Sequence, residues 1–258
     1  MINKLFFWRK FRPRHGKPAS KRLRTGLRWA ARLVYTALAV ECGYIAGLLP
    51  DWDQFLHGPV QKSSFIQQYE YEQTQHSDWP ALRWQPIDLK HMPKHLIRAV
   101  IVAEDSRFFE HQGFDQAAFF DAMEYNLAQG RIVYGASTIS QQTIKNYLLS
   151  PSRNPLRKLH EAVLTYAMER NVGKKRIMEI YLNIAEFGHG IYGVEAAARH
   201  YWGKSVRQLS IGEAIELAAT LPAPIRHNPD TRTRFFIKHR DKIRRHLIKN
   251  TIAGVSPG

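Results

Sequence analysis

The chain has 258 residues, is 44% hydrophobic, and carries 38 Lys and Arg against 22 Asp and Glu. That length and apolar content exclude a chain that is disordered throughout, and leave room for one globular domain plus an extension. A single cysteine excludes an intrachain disulfide and any cysteine-based metal cluster.

The charge is concentrated at the start. Residues 1–32 hold 11 Lys or Arg and no Asp or Glu, so the rest has 27 basic and 22 acidic residues. Such an arm reads as a solvated tail, a nucleic-acid-binding arm or a topology signal. The adjoining segment favours the last: Leu33–Leu49, LVYTALAVECGYIAGLL, is 17 residues with one charge, Glu41. With Leu27 and Trp29 it approaches the ~20 residues of a spanning helix. A basic flank ahead of an apolar segment predicts a cytosolic N-terminus. Ala37-Leu38-Ala39 loosely resembles a signal-peptide cleavage site, but the apolar run continues to Leu49, which favours an uncleaved anchor.

The remaining chain divides by pattern. Residues 50–85 are polar and aromatic, with Pro50, Pro59 and Pro80, and read as a linker or a small membrane-proximal lobe. From 86 to about 250 helical signals dominate, while strand signals are scarce. Leu96, Ile97, Val100 and Ile101 predict a helix running into Glu104. A second helix spans Phe119–Ala128, closed by Gly130, and a third Thr138–Leu149. Asn154-Pro155 predicts a helix start, with the helix running to about Asn171. Another covers Lys174–Ala185. Ser210 and Glu213 predict a capping box. Residues after Pro229 alternate basic and apolar side chains, as a terminal amphipathic helix does. The fold class is therefore mainly α.

Three segments could carry chemistry. In EDSRFFEHQGFD, Glu104 and Asp105 end an apolar helix, where a poorly solvated carboxylate suits a general base. Surface acids paired with Arg98 or Arg107 would look the same. In GASTISQQTIKN, Thr138, Gln141, Gln142 and Lys145 fall on one helix face, a cationic, hydrogen-bonding surface suited to a sugar or pyrophosphate. An ordinary solvent face has the same pattern. In RNPLRKLHE, Arg153, Arg157 and Lys158 place positive charge near a helix start, and Arg157 and Glu161 are close enough to pair. A surface ion pair is the alternative.

These segments, in this order, resemble the bacterial peptidoglycan glycosyltransferases, glycosyltransferase family 51, whose pattern is ED-x-x-F-x-x-H-x-G, G-x-S-T-I-x-Q-Q-x-x-K-N and R-K-x-x-E. The matching residues are Glu104, Asp105, Phe108, His111 and Gly113; then Gly135, Ser137, Thr138, Ile139, Gln141, Gln142, Lys145 and Asn146; then Arg157, Lys158 and Glu161. A further run through Tyr181, Asn183 and Gly193, and LPAPIRHNP, look like the family's continuation. The resemblance covers roughly residues 86–230.

It implies a lysozyme-like, two-lobed domain behind a single N-terminal transmembrane helix, in the bacterial inner membrane with the catalytic domain periplasmic. The implied reaction polymerises lipid II into linear β-1,4 glycan with release of undecaprenyl pyrophosphate, by inversion. Glu104 is then the base, and Glu161, the second catalytic residue, would orient the cations or help hold a divalent ion or a proton at the pyrophosphate. Asp105, Phe108, His111, Ser137, Thr138, Gln141, Gln142, Lys145, Asn146, Arg153, Arg157 and Lys158 would bind substrate. No cofactor is required by the sequence, although a divalent cation, Mg or Mn, fits a pyrophosphate site. Expected partners are lipid II, the growing glycan, the membrane and proteins of cell-wall synthesis or division, with no nucleic acid. No S-x-x-K motif occurs and only 29 residues follow Pro229, so no transpeptidase activity is expected.

Overall fold

The computed structural model describes residues 21–131, 135–150 and 156–252. The chain forms two units, divided between Leu48 and Leu49. The first contains α1, Lys21–Leu48. This helix begins well before Leu33, so it takes in part of the basic arm as well as the apolar run. From Leu23 it is long and apolar enough to cross a membrane, with a mean hydropathy of 1.5 and none of that stretch buried. Residues 1–20 of the arm lie outside the described residues.

The second unit is helical around a small sheet. Residues 50–85 hold two capped helices, α2 (Trp52–His57) and α3 (Ser64–Gln75), and the short strand β1 (Arg83–Trp84). Asp51 and Ser63 accept backbone N–H groups at the two helix starts, which satisfies donors that would otherwise lack partners. Strand β1 runs parallel to β3 (Ile191–Tyr192), which pairs antiparallel with β2 (Glu186–Gly188). The sequence pattern does not reveal these strands, because two or three residues are too few to show an alternation. Asn183 pins the approach to β1: its amide bonds both N–H and C=O of Ile87, and its backbone carbonyl accepts Trp84 Nε1.

The helices of the core are α4 (Lys94–Glu104), α6 (Ile139–Leu148), α7 (Arg157–Asn171), α8 (Lys174–Ile184), α9 (Val194–Trp202) and α10 (Ile211–Thr220). Helix α4 packs on α10; Ala99 of α4 and Ala214 and Ala218 of α10 are fully buried, and such small residues allow close packing. Removing those apolar surfaces from water is the main stabilising term. Helix α6 packs on α7 and α8 through Ile139, Ile144, Leu164, Met168 and Ile177, all fully buried. The terminal helix α11 (Arg234–Ile252) covers α4 and α10 with Phe236 and Ile243. The capping box of Ser210 and Glu213 forms as the spacing predicts. The expected start at Asn154-Pro155 lies outside the described residues; α7 is recorded from Arg157.

Helix α5 (Gln116–Gln129) differs from the rest. It has no buried residue, and Phe119, Phe120, Met123 and Leu127 are exposed.

Candidate active site

Glu104 is the last residue of α4, following Leu96, Ala99, Val100 and Ile101, which are buried. Its carboxylate accepts a hydrogen bond from Gln142 Nε2 at 2.7 Å. Burial pushes the Glu104 carboxyl above its ordinary range, and Asp105 adds to this. The Gln142 hydrogen bond and the Lys145 charge pull the other way. Behind Gln142, the buried Tyr181 hydroxyl donates to Gln142 Oε1 at 3.2 Å.

Asp105, next to it, is engaged differently. Its carboxylate accepts the backbone N–H of Ile139 at 3.0 Å, at the start of α6, and His111 Nε2 at 3.0 Å. Thr138 caps the same helix start. Its hydroxyl donates to the Gly113 carbonyl at 2.6 Å and accepts Gln141 N–H, while Gln141 Oε1 accepts the Thr138 N–H. Gly113 sits at φ +88, and a Cβ there would lie 2.9 Å from Thr165 Cγ2, so only glycine fits this turn. These contacts hold the loop after α4 against the N-terminus of α6. The expected shared face of Thr138, Gln141, Gln142 and Lys145 therefore splits: the first two form a buried cap, and the last two turn to Glu104 and the cations. Phe108 is fully buried, with Lys174 Nζ 4.5 Å from its ring centre. Of Asn146, the backbone carbonyl is engaged, by Ser64 Oγ at 3.1 Å.

Across from Glu104 lies the first turn of α7. Glu161 is 2% exposed and paired with Lys158 Nζ and with Arg157 Nη1, the latter at 3.7 Å. Lys145 lies in the field of both acids. Burial pushes its ammonium below the ordinary range, as do Arg157 and Lys158, while Glu161 and Glu104 pull it back up. An anion entering here would meet partly desolvated cations, whose attraction is stronger than in water. Arg153 lies outside the described residues. Ser137 and Gln141 line a cavity of about 620 Å³ with Lys158, Asp115, Phe119 and Phe120, so the polar end opens toward exposed aromatic rings.

Among the described residues, one group has metal-ligand spacing: Asp105, His111 and Asp115, with ligand atoms within 4.8 Å of one another. The donor set does not fit a resident cation. Asp115 already accepts Arg107 Nε, Arg107 Nη2 and Ala118 N–H, and Asp105 holds Ile139 and His111. A cation there would compete with the Arg107 charge.

Spacing exposes neither the contact of Tyr181 with Gln142 nor the Ser140–Glu169–Lys174 chain that ties α6 to α7 and α8. Ser140 and Glu169 stand 29 positions apart, beyond any helical periodicity.

Comparison with known proteins places the chain in a family. The family described as Transglycosylase matches residues 72–250. A biosynthetic peptidoglycan transglycosylase of Methylobacillus flagellatus is 48% identical over 161 residues, 62% of this chain and 66% of the relative. One from Nitrosospira multiformis is 42% identical over 200 residues, 76% of this chain and 86% of the relative. One from Laribacter hongkongensis is 37% identical over 224 residues, 86% and 97% of the two chains. The chain thus belongs to the transglycosylase family, with its mainly α, lysozyme-like domain, and is a glycosyltransferase of peptidoglycan biosynthesis.

Proposed function

We propose that this chain polymerises lipid II into linear β-1,4 glycan and releases undecaprenyl pyrophosphate. The observation that carries this reading is the pairing of a poorly solvated carboxyl, Glu104, with a basic set of Lys145, Arg157 and Lys158 organised by buried Glu161. A sugar hydroxyl is a weak nucleophile at neutral pH and needs a base. Glu104 takes the acceptor hydroxyl proton as that oxygen forms its bond to the donor anomeric carbon. The bond to the pyrophosphate oxygen breaks with its electron pair, and Lys145, Arg157 and Arg153 neutralise the charge that develops. Attack opposite the leaving group inverts an α-linked donor to a β product. Glu161 orients the cations. The sequence requires no cofactor, although Mg or Mn accompanying the pyrophosphate is compatible with this scheme.

The apolar α1 and the exposed aromatic side chains of α5 support work at a membrane surface. The basic flank of α1 supports a cytosolic N-terminus and a periplasmic catalytic unit in the inner membrane. Proteins of cell-wall synthesis or division are the expected protein partners, and the basic arm serves topology, not nucleic acid. A glycan-cleaving lytic transglycosylase would also use a glutamate, but it has no need of the Lys158–Glu161–Arg157 set. With no S-x-x-K in the sequence, the chain by itself makes no peptide crosslinks.

Labelled lipid II incubated with the purified full chain should yield polymer with intact stem peptides, insensitive to β-lactams. Cleavage of preformed glycan without polymerisation would overturn the reading. Crosslinked dimers in the muramidase digest would overturn its monofunctional part.

A further inference from the structure

Glu104 is served by a hydrogen-bond chain that begins on α8, outside the three segments first singled out for chemistry. Tyr181 lies on α8, 1% exposed, and its hydroxyl donates to Gln142 Oε1, while Gln142 Nε2 donates to Glu104 Oε2. We infer that Tyr181 is a positioning residue, fixing the carboxyl of Glu104 through the Gln142 amide in both the proton-free and the proton-loaded state. This rests on Glu104 being the base.

The chemistry of the three groups sets the direction of the chain. An ionised carboxylate only accepts, so the amide nitrogen must face Glu104 and the amide oxygen must face Tyr181, whose O–H donates. Once Glu104 has taken the acceptor's proton, its O–H is a donor. The amide, turned over, then offers Oε1 to Glu104 and Nε2 to the Tyr181 oxygen, which accepts as readily as it donates. Glu104 keeps a hydrogen bond to the amide in either state, which avoids a cost that would otherwise fall on the loaded base. Burial holds the Tyr181 hydroxyl well above its ordinary range, so it stays protonated throughout. A role in packing alone would need the ring but not the hydroxyl.

The other groups facing Glu104 are known. Asp105 follows it on α4, Lys145 accompanies Gln142 on α6, and Glu161, Arg157 and Lys158 on α7 act on it through Lys145. All of these remain when the Tyr181 hydroxyl is removed, so a change in the pH profile of Tyr181→Phe reports the amide. The donor sets the sign. Gln142 N–H favours ionised Glu104, so loosening the amide makes Glu104 hold its proton to higher pH.

The test is the pH–rate profile of lipid II polymerisation by the full-length Tyr181→Phe variant. Its acid limb should move up by about one pH unit, a roughly tenfold loss at the wild-type limb. Activity should return to near wild type at higher pH, with KM and the thermal midpoint little changed. Gln142→Met should displace the limb similarly. The double variant should do no more than either single one, as expected for one coupled chain. A wild-type profile for Tyr181→Phe, a loss uniform across pH, or additive effects in the double variant would overturn the inference. Glu104→Gln, assayed in parallel, separates the levels. If it is inactive while Tyr181→Phe titrates as wild type, only this inference falls; if it is fully active, the base assignment falls with it.

Discussion

The two sides of the cleft are built by different means. On the Glu104 side, the contacts that place the carboxyls join residues far apart in the chain: Glu104 to Gln142 spans 38 positions, Asp105 to Ile139 spans 34, and Tyr181 to Gln142 spans 39. On the α7 side, Arg157, Lys158 and Glu161 meet within one helical turn, and Leu156 and Leu159 beside them are exposed. Glu104, the proposed base, is thus held by the tertiary fold. The cation pair on α7 is held by local geometry, and its Lys158 borders the open cavity that includes Phe119 and Phe120. A proton acceptor must be placed to within a fraction of an ångström, whereas a pyrophosphate clamp works by charge over a broader range.

The same difference decides what the sequence makes legible. Spacing of three and four reveals the contacts of Glu161, because a helix brings those positions together. The capping box of Ser210 and the helix ending at Glu104 are readable for the same reason. The hydrogen bonds of Asp105, Thr138 and Gln141 are not. Their types suit ligand binding, but Asp105 takes up a helix N-terminus whose N–H groups favour an anion, and the other two cap that helix. Phe108 matches a functional motif and yet lies in the core. The exposure of α5 is equally hidden, since apolarity alone does not say whether a helix meets protein, water or lipid.

The comparison is tested most strongly at the base. Glu104→Gln keeps the size and the Gln142 neighbour but cannot take a proton. Polymerisation should fall by about 10²–10⁴-fold, with lipid II binding retained. A fall below tenfold would mean that the Glu104 side is scaffold and not machinery.

Next comes the cation between the two sides. Lys145→Ala removes the charge lying in the field of both Glu104 and Glu161, and should slow donor use by about 10²-fold, in the range for loss of one transition-state charge partner. Lys145→Arg should recover part of this. Moenomycin, a phosphoglycolipid inhibitor of the family, should lose affinity in parallel. Unchanged inhibitor binding would place Lys145 outside the anion site.

Asp105→Asn probes mainly the scaffold, although it also removes a charge that helps raise the Glu104 carboxyl. The amide oxygen can still accept Ile139 N–H, but the charged acceptor facing His111 is lost. Stability should drop by about 1–3 kcal/mol, read from denaturant midpoints, and activity should fall less than for Glu104→Gln. An Asp105→Asn enzyme as stable as wild type but as inactive as Glu104→Gln would move Asp105 from scaffold to chemistry.

The smallest effect on stability belongs to the open side, and it is the one that a soluble assay would overlook. Phe119 and Phe120 are 53% and 58% exposed, so they contribute little to the interior of the unit. Replacing both with serine should change stability by no more than about 0.5 kcal/mol each, as expected for surface sites. Two exposed aromatic rings on a helix with no buried residue are nonetheless costly in water, and they are best accounted for by an apolar medium beside the cleft. Phe119→Ser/Phe120→Ser in the full chain should therefore slow polymerisation of lipid II in bilayers by about tenfold, while leaving turnover of a water-soluble short-chain analogue near wild type. The two substrates share the reacting atoms and differ in the length of the lipid. An equal loss on both would show that the rings shape the cavity itself, and an unchanged rate on both would show that α5 faces water.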